Sequence, residues 1–358
     1  MMYKEVTKIE CDSKKLFEKR DENGYIILDD KISEFTPESR ERIGSEFRLK
    51  NWIETNDGKQ FLVKSNNKMD EKENYTEYAE LISRKVAQKM GLEYANYDIM
   101  KFNGQKGVIT ENMLNKDEYL ITLQDIIDSE IAHPDGGNST IDYPNLVKLI
   151  DKNLSLLGYE KEDIDNIKKE FKKRVMFDSI VGATDRHPEN ISFVLNTKDS
   201  KSIKLSPIYD TENSLLLENA KDIVLDFACS QDGGARHARD IYPMISFIPN
   251  KNAEVDEIDM ATFEFSTYSN KENDYELEDF AGEQLIALNP DEIIKEVEDD
   301  INAPLPYEVS TVVRTCLKTR INEFKKIMCG EVEVNYDEDY IRKVQDYFEK
   351  QARDKEEI

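Results

Sequence analysis

Between residues 75 and 90 the apolar side chains fall three and four apart, at Tyr78, Leu81, Ile82, Val86 and Met90. That period belongs to a helix with one buried face, and Gly91 stands where such a helix stops. Upstream, a short strand is expected at Tyr25–Leu28. Phe47–Ile53 and Phe61–Val63 read as two further strands around the turn Asn56-Asp57-Gly58, the second ending on Lys64. Downstream, Tyr97–Phe102 and Gly107–Thr110 flank Asn103-Gly104 and predict a hairpin. The first 115 or so residues therefore predict a compact antiparallel sheet carrying one helix.

The remainder reads as mainly helical. Ile164, Ile167, Phe171, Val175 and Met176 form a stripe on a helix running toward Gly182. Two short apolar strands follow, Ile191–Leu195 and Ile203–Ile208. Val309, Val312, Val313, Cys316, Ile321, Phe324 and Ile327 make a second helical stripe, whose expected role is core packing. An acidic, turn-rich exposed loop is expected over 251–279, and a charged, fraying helix over about 338–353. The expected division is a small β-rich lobe over 1–115 and a helical lobe over 116–358.

Composition narrows the function. The chain has 358 residues and carries 49 basic against 75 acidic residues, a net charge of -26. A surface this acidic repels phosphate backbones, so direct nucleic-acid binding and attachment to an anionic membrane are not expected. The four Cys, at 11, 229, 316 and 329, contain no close pair, which excludes a disulfide framework and a cysteine-rich zinc site. Three His are too few for a His-rich metal centre. The N-terminus has no apolar targeting core and no stretch approaches a membrane span, so a cytoplasmic location is expected.

The chemistry concentrates in Gly182-Ala183-Thr184-Asp185-Arg186-His187-Pro188-Glu189-Asn190, followed after a short hairpin by Ser206-Pro207-Ile208-Tyr209-Asp210-Thr211. A helix leads into a polar loop, and two short strands leave it. Phosphoryl transfer from ATP needs a carboxylate to orient the attacking hydroxyl, oxygen ligands for Mg²⁺, and a Lys for the phosphate chain. A protein-kinase catalytic loop separates its Asp base and its metal-binding Asn by five residues, as Asp185 and Asn190 are separated. Asp210 supplies a second metal ligand in this reading, and Lys64 suits the phosphates. Glu77 or Glu80 on the following helix could pair with Lys64.

The segments FDSIVGATDRHPENISFVL and IKLSPIYDTENSLL resemble the catalytic core of HipA-like serine/threonine kinases. That family includes the toxin kinases of toxin–antitoxin pairs and shorter single-chain relatives. FLVK at 61–64, AELISRKVAQKMGL at 79–92 and KGVITENM at 106–113 are similar to its lysine strand, its Glu-bearing helix and its hinge strand. Ala183 departs from the family, which carries Asn there. The resemblance covers about residues 40–215.

The resemblance implies an α+β, two-lobed protein-kinase-like fold binding ATP and Mg²⁺. It makes Asp185 the catalytic base, Asn190 and Asp210 the metal ligands, and Lys64 a phosphate ligand. The Glu in that family's helix lies eleven residues before the Gly, which selects Glu80 over Glu77. Glu111 and Met113 fall at the nucleotide hinge, and His187 is expected to structure the loop beside the nucleotide. The phosphate loop has two registers, one through Ser39-Arg40-Glu41-Arg42-Ile43 and one through Ile43-Gly44-Ser45-Glu46-Phe47. Either Ser39 or Ser45 would then lie near the phosphates and could be autophosphorylated, and Arg40 could steer phosphate. The implied partners are a protein substrate and an antitoxin or regulatory protein. The same triplet Asp-Arg-His occurs in phosphatidylinositol kinases, so a lipid or small-molecule kinase is the first rival. A nucleotide-binding pseudokinase is the second.

Overall fold

The computed structural model describes residues 6–29, 31–32, 42–43, 46–47, 50–66, 74–126, 141–229, 245–246 and 288–328. The expected loop over 251–279 and the terminal helix over 338–353 lie outside them, as do Ser39, Arg40 and Ser45.

The N-terminal part is built on β1 (Thr7–Lys8), α1 (Ser13–Leu16), β2 (Ile26–Ile27), β3 (Arg42–Ile43), β4 (Glu46–Phe47), β5 (Lys50–Glu54) and β6 (Gln60–Ser65). Helix α2 (Thr76–Lys89) and the hairpin β7 (Tyr97–Phe102) and β8 (Gln105–Glu111) complete it. Six strands form one sheet in the order β1-β5-β6-β8-β7-β2. The two outer additions, β1 on β5 and β2 on β7, are parallel. The inner four strands are antiparallel.

The alternation along β6 shows how the sequence sorts its faces. Phe61 and Val63 are buried among Ile9, Leu16, Ile26, Ile53 and Ile109 on one side. Leu62 and Lys64 point to the other, half-buried side. Lys50 on β5 lies directly opposite Lys64 on β6, so both project from that same side.

One strand differs from expectation. Phe47 pairs with Arg42 in the separate two-stranded sheet β3–β4, and the described strand β5 spans Lys50–Glu54. Phe47–Ile53 reads as one strand in sequence because its pattern alone does not mark where pairing changes partner.

The C-terminal part contains β9 (Glu118–Thr122), α3 (Leu123–Ile126), β10 (Ile141–Asp142), α4 (Tyr143–Leu156) and α5 (Lys161–Val181). Then come β11 (Ser192–Asn196), β12 (Ile203–Leu205), α6 (Ala220–Cys229), β13 (Ile245–Ser246), α7 (Pro290–Ile301) and α8 (Tyr307–Met328). β9, β11 and β12 make a small antiparallel sheet that packs with α4 and α5. β12 is shorter than expected because Pro207 cannot donate to a ladder. Ile208 instead makes an isolated parallel bridge to Tyr94, just before β7.

The largest core joins the two parts: α2 buries Tyr78, Leu81, Ile82 and Val86 against Phe177 and Ile180 of α5, Val297 of α7 and Val313 of α8. Ion pairs add to this seam. Arg84 and Lys85 meet Asp300 at 2.8 and 2.9 Å, and Lys89 meets Glu296 at 2.6 Å. Helix α2 is thus fixed by apolar packing along one face and a charged ladder along another.

Gly107 on β8 is required by close approach. A Cβ there would stand 2.1 Å from the Lys64 carbonyl oxygen and 2.6 Å from Ser65 Cα. Gly107→Ala should therefore push β8 off β6 beside Lys64 and destabilise the fold by about 1–3 kcal/mol or more, the range for overpacked sites. Urea denaturation checks this; a stability equal to wild type would show that the strands yield without cost.

Candidate functional site

Three local devices bring the polar residues to one place. Helix α5 ends at Gly182, whose φ of 61° reverses the chain, and the Gly182 N–H caps onto the Asp178 carbonyl. The loop carrying Asp185 starts there. A single 3-10 turn, Pro188–Asn190, then returns the chain to β11. Beyond β12, Asp210 sits in the left-handed region with φ of 59°, an uncommon conformation for a residue with a side chain. Its N–H donates to the Tyr97 hydroxyl at 3.3 Å.

Lys64 reaches across from the sheet. Its Nζ lies 2.5 Å from Asp210 Oδ1 and 3.0 Å from Glu212 Oε2, with the lysine side chain only 12% exposed. Burial opposes the charge on Lys64, but the Asp210, Glu212 and Glu80 carboxylates outweigh it and hold the amine above the ordinary lysine range. Burial would likewise raise Asp210; the Lys64 ammonium wins, with a smaller contribution from Lys50, and Asp210 stays below the usual carboxylate value.

Asp185 and Asn190 come together as a second pair. Asn190 Nδ2 donates to the Asp185 carbonyl at 2.9 Å, which leaves Oδ1 as the amide atom able to take a cation. Asn213 Nδ2 donates to Asp185 Oδ2 at 2.9 Å and orients the carboxylate. Thr184 N–H donates to the Asn213 carbonyl at 3.1 Å, tying the loop to the segment after Asp210. The Glu218 carboxyl is raised first by burial and further by the Asp185 and Glu212 charges.

Glu80 is held by partners other than the one expected. Its carboxylate accepts from the Tyr94 hydroxyl at 2.6 Å, from Thr211 N–H at 3.0 Å and from Thr211 Oγ1 at 2.9 Å. Among the described ion pairs, Lys64 is held by Asp210 and Glu212 and not by Glu80. Glu80 still feels the lysine charge through space. Burial first, then Asp210, pushes its carboxyl up to about 7. Glu77 serves structure: buried, it accepts from Tyr25 Oη and Asn66 Nδ2, both at 2.5 Å.

The remaining expected residues make contacts of their own. Glu111 pairs with Lys59 at 2.7 Å on the sheet surface, and Met113 is half-buried in the stretch after β8. His187 Nδ1 lies 3.8 Å from Glu189 Oε2, within its own loop. Residues that sequence reasoning did not place at the site are Lys50, Glu212, Asn213 and Glu218. Lys50 could have been found from the strand register opposite Lys64; the other three had no signal beyond proximity to Asp210.

The donor set suits Mg²⁺. Asn190 offers an amide oxygen and Asp210 an ionised carboxylate, both hard oxygen ligands. Among the described residues no group of three His, Cys, Asp or Glu could hold a metal by itself. An ion that takes one or two protein oxygens and completes its shell with phosphates and water fits that set, whereas an all-protein cage does not.

The HipA-like C-terminal domain matches residues 41–301, so the chain belongs to the HipA-like family. The fold is shared with a Helicobacter pylori proinflammatory kinase, CtkA, at a TM-score of 0.60 and 14% identity. That match covers 83% of this chain and 96% of the other. Shewanella oneidensis HipA, solved with HipB and operator DNA, aligns at a TM-score of 0.48 and 14% identity, covering 84% and 69%. No curated protein matches the sequence. The architecture is therefore α+β and kinase-like, and no described helix is long and apolar enough to cross a membrane.

Glu80 predicts a pH dependence. Its folded pKa of about 7 exceeds the ordinary 4.5, so the fold disfavours the charged form. The stability linked to Glu80 is whole below about 4.5 and is lost as pH rises through about 7. Thermal denaturation in chelator across this window should show Glu80→Gln losing up to one proton's worth of slope relative to wild type. Identical slopes would place the Glu80 titration elsewhere.

Proposed function

We propose that this chain is an ATP-dependent serine/threonine protein kinase of the HipA-like type, transferring the γ-phosphoryl group of ATP to a protein hydroxyl. The observation that supports this most is the Lys64–Asp210 contact, which sets a phosphate-seeking cation against a metal-seeking carboxylate. The Asp185–Asn190 pair is stitched to the same segment through Asn213. The two lobes would divide near residue 115, with the nucleotide between them.

In this reading Asp185 accepts a hydrogen bond from the acceptor hydroxyl and aims its oxygen at the γ-phosphorus. The new O–P bond forms as the bond to the β–γ bridging oxygen breaks, and ADP leaves. The hydroxyl proton passes late to Asp185 Oδ1 or Oδ2. Lys64 lies where it can offset charge on the phosphate chain, and Lys50, directly opposite on the paired strand, adds a second positive charge to that face. Asn190 and Asp210 would hold Mg²⁺, which when bound neutralises phosphate charge and orients the leaving group. Glu80 acts by fixing the Asp210 segment through Thr211, and less by pairing with Lys64.

The proposed partners are a protein substrate and an antitoxin or other regulatory protein, in the cytoplasm. The net charge of -26 speaks against the chain itself gripping DNA. It speaks equally against a lipid-kinase reading, which needs basic residues toward an anionic head group.

Two measurements test the proposal. Incubation with ATP and Mg²⁺ followed by mass spectrometry should find phosphate on Ser39 or Ser45, and Asp185→Ala should slow transfer by about 10²–10⁴-fold, the usual worth of a positioned base. Wild-type rates in that variant would remove Asp185 from the mechanism. ATP with Mg²⁺ should also raise the melting temperature, because a ligand that binds only the native state stabilises it. Asp210→Asn should abolish most of that shift. A shift with no turnover would favour the pseudokinase reading.

A further inference from the structure

Arg186 follows Asp185 directly and is 3% exposed, so its charge must be met inside the protein. Its Nε donates to both carboxylate oxygens of Asp178, each at 3.2 Å. Its Nη1 donates to the Tyr209 carbonyl at 2.6 Å and to the Asn190 carbonyl at 3.4 Å. Three elements therefore meet on one guanidinium. Asp178 belongs to the last turn of α5. Asn190 is one of the two residues assigned to the cation. Tyr209 immediately precedes the other, Asp210.

The Tyr209 side chain repeats the connection from its far end. Its hydroxyl lies 2.6 Å from Ser192 Oγ and donates to the Glu189 carbonyl at 3.1 Å. Arg186 and Tyr209 thus tie residues 189–192 to 209 at two separate points.

Stability alone does not account for the arginine. A buried ion pair is often matched or bettered by apolar side chains of similar volume. Arg186 also leaves Nη2 buried with no hydrogen-bond partner among the described residues, which adds a desolvation cost. What the guanidinium supplies is direction. Its planar fork can bind a carboxylate on one edge and two carbonyls on another, and an ammonium on a flexible stem cannot do both.

We infer that Arg186, braced by Asp178, is a positioning residue that sets the separation between the Asn190 and Asp210 segments and so tunes their hold on a nucleotide-bound divalent cation. The inference rests on the proposed function. It assigns no contact between Arg186 and ATP or substrate; its effect passes through the two backbone carbonyls.

The test uses the full-length chain with Arg186→Lys and Asp178→Asn. Circular dichroism and melting temperature establish folding. Binding of Mn²⁺ in the presence of a non-hydrolysable ATP analogue is then followed by the electron paramagnetic resonance of the free ion, a readout independent of turnover. Loss of a residue that orients metal ligands typically weakens metal affinity by about 10–100-fold. Arg186→Lys should fall in that range, and Asp178→Asn should weaken binding in the same direction. The Mg²⁺ concentration giving half-maximal transfer should rise in parallel, with KM for ATP at saturating metal little changed. A folded Arg186→Lys protein that binds Mn²⁺ as wild type does would overturn the inference. If that variant does not fold, unchanged Mn²⁺ affinity in Asp178→Asn would overturn it equally. Absence of Mn²⁺–nucleotide binding in the wild type would instead overturn the proposed function, and this inference with it.

Discussion

The ion pair between Lys64 and Asp210 joins residues 146 positions apart in the chain, one on the large sheet and one beyond the small sheet. Its physical setting is a crowd of acidic groups. Asp210, Glu212 and Glu80 all act on one ammonium. In water these carboxylates would repel only weakly; with burial the effective dielectric falls and the same charges interact strongly. Lys64 keeps Asp210 ionised, whereas Glu80, farther from the lysine and fully buried, carries the opposite shift. Two carboxylates near one cation are thus driven in opposite directions, Glu80 upward by burial and by the Asp210 charge, Asp210 downward by its direct contact with Lys64. A charged lysine beside a charged carboxylate is the arrangement that the proposed binding of a polyphosphate and a divalent ion would use.

The scaffold explains how the pair is held. Helix α2 is buried on most of its circumference and bears two acidic residues inside, Glu77 and Glu80. Each is satisfied by hydrogen bonds from other elements, Glu77 from Tyr25 and Asn66, Glu80 from Tyr94 and Thr211. The helix is therefore a polar bracket as well as a core element. Its outer side meets α7 through Arg84, Lys85 and Lys89, and this fixes its azimuth against the C-terminal part. Surface ion pairs are individually weak, but here they reinforce an apolar seam that already sets the distance.

Much of this was legible in the chain. The stripe from Tyr78 to Met90 gave α2 because a 3.6-residue period admits few other structures, and the stripe from Ile164 to Met176 gave α5 with its stop at Gly182. The hairpin around Asn103-Gly104 formed as expected because those two residues tolerate positive φ at little cost. The spacing of Asp185 and Asn190 across one tight turn was also readable, since a local loop closes over few residues. Other elements, among them β9, α4, α6 and α7, were not anticipated: β9 is paired with the distant β11, whereas α7 does carry a local signal in its Asn289 cap and the stripe Ile293, Ile294, Val297 and Ile301.

The sequence by itself determined which side chains could do chemistry and on which local element each would sit, because period, turn residues and short spacings act within a few residues. Only the tertiary structure decided their partners. Lys64 turned to Asp210 and Glu212 instead of Glu80, Lys50 came abreast of Lys64, Asn213 came to orient Asp185, and Arg186 turned inward to gather Asp178, Asn190 and Tyr209. Each of these choices depends on strand register, on where α5 ends and on a left-handed residue at 210. Buried charges select whichever opposite charge or carbonyl the packed fold leaves within reach, and linear spacing carries no record of that distance.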